Sequence, residues 1–177
     1  MRHFALLVTA AALIAVAACD RGEETAPTAD TQADAADNAA NGTASAGDHA
    51  AIMKARHDHY EEMGDAMKAI GAQLKADSPS IPVIQQHAAT IARYGPQLLT
   101  WFPEGSGPES GIETRAKAEI WADPETFRQR AQAFEAEAAR FNAAVQSGDL
   151  ASIRAGQKAL GETCKNCHDR FRAPEDR

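Results

Sequence analysis

The feature that most limits how this chain can fold is an apolar spacing close to 3.5 residues, held from Asp48 to Phe171 and interrupted only by breakers and one loop. Such spacing gathers one stripe on one face of a helix, whereas a strand needs strict alternation. Caps and breakers divide it into four segments. The first runs from about Asp48 to Ala76, carries Ile52, Arg56, Tyr60, Met63, Met67, Ile70 and Leu74 on its stripe, and stops at Asp77-Ser78-Pro79. The second starts near Ser80, carries Ile84, Ala88, Ile91, Leu98 and Phe102, and ends at Pro103. A loop rich in Gly, Pro and Ser follows, to about Ala118. Asp123 then caps a third helix with Pro124 in its first turn. Its stripe is Phe127, Ala131, Phe134, Ala138, Phe141 and Val145. Gly148 ends it, and Asp149 caps a fourth helix bearing Leu150, Ile153, Gln157, Leu160, Cys164, Cys167 and Phe171, which Pro174 stops. No useful alternating run and no Asn-Gly hairpin pattern lies between these helices. Four amphipathic helices with short joins between the first pair and the last pair predict an all-α protein, an antiparallel four-helix bundle over residues 48–177.

The residues before that domain read differently. Arg2 and His3 precede the apolar run Phe4 to Ala18, too short to span a bilayer as a permanent helix and suited to an export signal. Its end, Val16-Ala17-Ala18-Cys19, resembles a bacterial lipoprotein signal: residues 1–18 would be removed and Cys19 lipidated. The alternative is an ordinary secretory signal cut after Ala15-Val16-Ala17. From Cys19 to Gly47 no large apolar residue occurs, so this stretch is expected to be a disordered tether. The expected location is the periplasm, with a lipid anchor as the only hold on a membrane. A formal net charge of -7 argues against nucleic acid as a partner, and no basic face would bind anionic lipid.

Three cysteines in an exported chain raise the question of an unpaired thiol. Lipidation of Cys19 leaves Cys164 and Cys167, and the residue after them decides their chemistry. Cys164-Lys165-Asn166-Cys167-His168 matches the attachment signature of c-type haem, in which two thiols add to the vinyl groups and the histidine reaches the iron. On a helix these positions are related by i+3 and i+4, so both sulfurs and the imidazole leave one face. A thioredoxin-like pair normally opens a helix after a strand, and structural zinc needs four ligands where three stand here. Because the cysteines continue the apolar stripe, one covalent haem c is expected inside the bundle.

Arg56 interrupts the stripe of the first helix. A guanidinium pointing inward needs a partner, and a haem propionate supplies one; the alternative is an exposed arginine beside a stripe drawn one position off. His57, His59 and Met63 lie near enough to serve as a sixth iron ligand, although solvation and core packing explain them equally. Trp101 and Trp121 are expected to cover the loop end. The residues contain no acid, base or nucleophile constellation, so an enzyme is not expected.

The region from Ala50 to Arg172 resembles cytochrome c′. The matching features are Arg56 four residues before Tyr60, Phe102-Pro103-Glu104-Gly105-Ser106, Thr114-Arg115-Ala116-Lys117, Glu119-Ile120-Trp121-Ala122-Asp123, and Cys164 to His168 with Arg172 four residues later. The resemblance implies a five-coordinate iron held by His168, a distal face covered by Tyr60, and Arg172 as the basic residue beside the proximal histidine. Tyrosine departs from the aliphatic residue often found at that position. It further implies binding of nitric oxide and carbon monoxide, possible electron transfer with an unidentified redox partner, and a homodimer through the first two helices. The alternative is a six-coordinate, low-spin electron carrier of the same fold.

Overall fold

The computed structural model describes residues 46–174. The expectations for the signal at 1–18, for Cys19 and for the tether as far as residue 45 lie outside the described residues. Four long helices carry the domain: α1 (Ala46–Lys75), α2 (Ile81–Tyr94), α4 (Pro124–Gln146) and α5 (Leu150–Phe171), with a single turn, α3 (Glu119–Ala122), before α4. Among the described residues the sole β-type pairing is an isolated antiparallel bridge between Ala116 and Arg172, and no helix is long and apolar enough to cross a membrane.

Local chemistry sets the boundaries. The Asp123 carboxylate accepts from the Thr126 amide at 3.2 Å and the Asp149 carboxylate from the Ser152 amide at 2.9 Å, each satisfying a donor that the first helical turn leaves open. Gly148, at φ 70°, makes the left-handed turn between α4 and α5 that a side chain would disfavour. Helix α2 ends earlier than the spacing predicts. At Gly95-Pro96 it tightens into a 3-10 segment, Gly95–Trp101, because Pro96 has no N–H to give. The Gly95 backbone also lies so near α4 that a Cβ there would meet the Glu135 Cα at 3.1 Å.

Contacts at the two ends fix the helix directions. The carbonyl of Leu74, late in α1, accepts from Arg154, early in α5, and Gln85, early in α2, donates to the carbonyl of Val145, late in α4, at 3.2 Å. These lie at one end of the bundle. At the other, Phe102 packs edge-to-face on Phe127 and Phe127 on Phe171. Neighbours around the ring, α1 with α2, α2 with α4 and α4 with α5, therefore run antiparallel. The α1–α5 side is the sparsest of the four.

The stripe of α4 is buried at all six expected positions, and Ile84, Ala88, Ile91 and Leu98 are buried as the spacing predicts. Each fully buried Leu, Ile or Phe contributes roughly 1.5–3 kcal/mol relative to exposure. The α1 stripe is turned slightly from its expected line: Met53, not Ile52, is buried in the first turns, and Tyr60 and Met67 are only partly covered.

Candidate functional site

On the sparse side, α1 and α5 stand apart around a cavity of about 990 Å³, at the upper end of ordinary ligand sites at about 300–1,000 Å³. Small residues make the room. Gly64 on α1 lines the space and a Cβ there would touch nothing within 4 Å, while between Leu160 and Phe171 the α5 stripe carries the small side chains of Cys164 and Cys167. Met63, Ile91, Leu98, Phe127, Phe134 and Phe102 supply apolar walls.

Cys164, Cys167 and His168 all line this cavity, as the helical spacing requires. Both cysteines are free thiols. Burial pushes Cys164 above its ordinary range and Cys167, through burial and its neighbour Cys164, up to about 11. Burial likewise lowers the His168 pKa, helped by the positive charges of Arg172 and Arg115. Near neutrality the imidazole is thus held uncharged, with a ring nitrogen free to donate its lone pair to a metal. The motif sits in the last third of α5 rather than at a helix start, and among the described residues no group of three or more His, Cys, Asp or Glu side chains is disposed to hold a metal ion.

Tyr60 faces His168 from α1, with ring centroids 6.5 Å apart and planes at 65°. Burial raises its phenol well above the usual tyrosine range. Among the described residues its hydroxyl makes no hydrogen bond, so it is a donor without a protein acceptor. Its ring rests edge-to-face on Trp101 and Phe102.

Arg56 is buried, 5% exposed, so the inward orientation holds. Its acceptors are neutral groups of the loop end: the Trp101 carbonyl at 3.2 Å, the Ser106 carbonyl at 2.9 Å and hydroxyl at 3.2 Å, and the Thr114 hydroxyl at 3.2 Å. Its guanidinium also lies 4.6 Å from the centre of the Phe102 ring and lines the cavity. Burial pulls its pKa down while Tyr60 acts in the opposite sense. Ser106, the fully buried polar partner of Arg56, belongs to the Phe102-to-Ser106 stretch that carried the resemblance, but its role as an acceptor had no signal in the sequence.

Arg172 is exposed on the cavity rim one turn beyond His168, whose carbonyl accepts its amide at 3.0 Å. That end of α5 is clasped by the loop before α3. Lys117 N–H donates to the Phe171 carbonyl at 3.0 Å, Ala173 N–H to the Arg115 carbonyl at 2.8 Å, and the Arg115 side chain to the Ala173 carbonyl. Of the alternative ligands, Met63 and His57 line the cavity. His59 turns away from it and packs at 4.7 Å from Trp101 and 4.9 Å from Tyr94. Trp121 covers the loop end, its indole N–H donating to the Pro103 carbonyl at 3.1 Å, and takes no part in lining the cavity.

A pair of thiols and an uncharged imidazole on one wall, apolar surfaces around them and guanidinium groups at the edge fit a haem of the c type, whose vinyl, iron and propionate groups call for those three chemistries. Comparison with known proteins agrees. The family model described as Cytochrome C′ matches residues 51–172. The cytochrome c′ of Rhodospirillum rubrum is 39% identical over 131 residues, 73% of this chain and 87% of that protein. That of Pararhodospirillum photometricum is 35% identical over 123 residues, 69% and 96% of the two chains. Among solved structures, the nitric oxide complex of a cytochrome c prime variant from Alcaligenes xylosoxidans is similar with a TM-score of 0.63 at 25% identity, covering 71% of this chain and 97% of that one. On the family match and on the placement of Cys164, Cys167 and His168 together, this chain belongs to the cytochrome c′ family.

Proposed function

We propose that this chain holds one haem c covalently through Cys164 and Cys167, with His168 as the axial ligand, and that it binds small uncharged gases, nitric oxide and carbon monoxide, on the side of Tyr60. The observation that carries this reading is that the thiols, the imidazole and the Tyr60 ring, from two helices, line one largely apolar cavity. Haem, when bound, supplies an iron that can take a diatomic ligand and exchange one electron.

The chain's own residues set the selectivity. Apolar walls from Phe127, Phe134, Met63 and Leu98 admit neutral molecules and penalise ions, which lose their hydration there. His168, kept uncharged, presents nitrogen rather than a charged donor. The Tyr60 ring narrows the approach from α1, and its unpartnered hydroxyl offers one hydrogen bond where an aliphatic residue would offer none. Arg56 first organises the loop wall; Arg56 and Arg172 both line the cavity and are assigned to the propionates. The proposal extends to an exported protein anchored through lipidated Cys19 and to a homodimer formed through α1 and α2, both carried from the sequence and the family resemblance.

Expression of the full chain with a cytochrome maturation system tests the reading. The expected product is coloured, has the mass of polypeptide plus one haem, shows a high-spin spectrum with a broad Soret band, and binds carbon monoxide rapidly when ferrous. Tyr60→Leu should change the gas kinetics and leave the haem attached. A colourless protein of bare polypeptide mass would refute attachment. A low-spin spectrum indifferent to carbon monoxide would instead favour the six-coordinate carrier, for which Met63 and His57 remain as cavity-lining ligands.

A further inference from the structure

One cluster of side chains runs from Tyr60 away from the gas site toward the surface. Trp101 is buried and touches Tyr60 on the cavity side, ring centroids 5.6 Å apart at 84°, and Tyr94 on the other, 5.4 Å apart at 75°. His59 fills the angle between Trp101 and Tyr94. The Tyr94 hydroxyl donates to Glu62, whose half-exposed carboxylate also pairs with Arg93 at 3.0 Å, and the Arg93 guanidinium lies 4.7 Å from the centre of the Tyr94 ring. Three oxidisable rings in edge contact thus lead from the cavity wall to an ion pair at the surface.

We infer that Tyr60, Trp101 and Tyr94 form a route by which oxidising equivalents delivered to the cavity by hydrogen peroxide are carried out to Tyr94. The inference rests on the haem reading above. Electron transfer weakens steeply with the gap between donor and acceptor, and here each ring touches the next. The two tyrosines differ in what can take the proton. A phenol loses its O–H proton on oxidation and needs a base within hydrogen-bond reach; Tyr60 has no acceptor among the described residues, whereas Tyr94 has Glu62. The electron vacancy therefore comes to rest on Tyr94. An electron passes from Tyr94 through Trp101 and Tyr60 toward the cavity, the Tyr94 O–H bond breaks, the proton moves to Glu62, and a neutral tyrosyl radical remains. A small one-electron reductant of the enediol class, meeting the route at the half-exposed Glu62–Arg93 pair, returns the electron, and Glu62 returns the proton. Peroxide takes up two electrons and two protons as its O–O bond breaks and two waters form, so two passes along the route balance one peroxide, the protons coming from solvent and the reductant.

The chain has only two tyrosines, Tyr60 and Tyr94, which makes the test a choice between two positions. Haem-loaded full chain is mixed with hydrogen peroxide in the presence of a nitroso spin trap, frozen for electron paramagnetic resonance, and digested for peptide mass spectrometry. A tyrosyl signal with the adduct on Tyr94 is expected. Tyr94→Phe should abolish both and leave Trp101 as the site of damage, Glu62→Gln should weaken the signal, and ascorbate should erase it. An adduct confined to Tyr60, Met63 or Met67, or a signal unchanged in Tyr94→Phe, would overturn the route while leaving the haem reading intact. Failure of the haem reading shows separately, as a colourless protein of bare mass before any peroxide is added.

Discussion

The two ends of the bundle use the same spacing to opposite purposes. Toward the α1–α2 and α4–α5 joins, Ile70, Ile84, Val145 and Ile153 are fully buried and the four helices close on one another. Toward the loop end, the same stripes continue into Tyr60, Met67, Cys164 and Cys167, and the α1–α5 side opens around the cavity. Helix α4 is alike at both ends, buried from Phe127 to Val145. The difference therefore lies in the residues that α1 and α5 place on an unchanged period: large aliphatics where the chain must pack against itself, small or chemically active groups where it makes room. Periodicity decides the architecture, and residue chemistry decides which end is a core and which a site.

Replacing both thiols should break this contrast most completely. In Cys164→Ser/Cys167→Ser, the mass should fall to bare polypeptide, and hydrogen exchange should rise along the cavity-lining parts of α1 and α5 while the closed end stays protected. Uniform exchange across both ends would show that they are not separate. Leu160→Ala, at the fully buried position one turn before Cys164, should cost about 2–5 kcal/mol in urea unfolding; a much smaller cost would mean that the open end already leaves α5 loosely held there. Arg56→Leu should cost about 1–3 kcal/mol, because the Trp101 and Ser106 carbonyls lose their donors, with the greatest loss of amide protection between residues 101 and 114.

The smallest effect is expected from Asp149→Ala at the α5 cap. Hydrogen bonds from Ser152 hold the Asp149 carboxyl below its usual range, so its contribution is complete above the unfolded value of about 3.9 and is lost as pH falls through the lower folded value. Melting temperatures of variant and parent should differ near neutrality and converge in acid. A difference that persisted there would assign the effect to helix propensity rather than to the carboxylate.

Much of this was legible in the residues. The α4 stripe, both aspartate caps and the shared face of Cys164, Cys167 and His168 follow from local rules, and the structure places them where those rules predict. What could not be read depends on partners distant in sequence. The break at Gly95-Pro96 had a local cause in a proline without an N–H, but the need for glycine there, set by the close approach of Glu135 forty residues on, had none. The burial of Met53 in place of Ile52 reflects how α1 meets the loop end, where Met53 receives a hydrogen bond from the Ser110 hydroxyl. That Arg56 points inward could be read from the stripe, but Trp101, Ser106 and Thr114 as its acceptors could not, since an irregular loop has no period to count. His59 shows the limit from the other side. Its position one residue before Tyr60 suited an iron ligand, yet a rotation of about 100° per residue turns it toward Trp101 and Tyr94.

Two joints near the site are fastened largely through main-chain oxygens: Arg56 to the carbonyls of Trp101 and Ser106, Arg115 and Lys117 to those of Ala173 and Arg170. Every amino acid carries such an oxygen. Substitution at Trp101, Ala173 or Arg170 would therefore leave these fastenings in place, whereas Ser106 and Thr114, which also receive Arg56 through their hydroxyls, are tied to their identity.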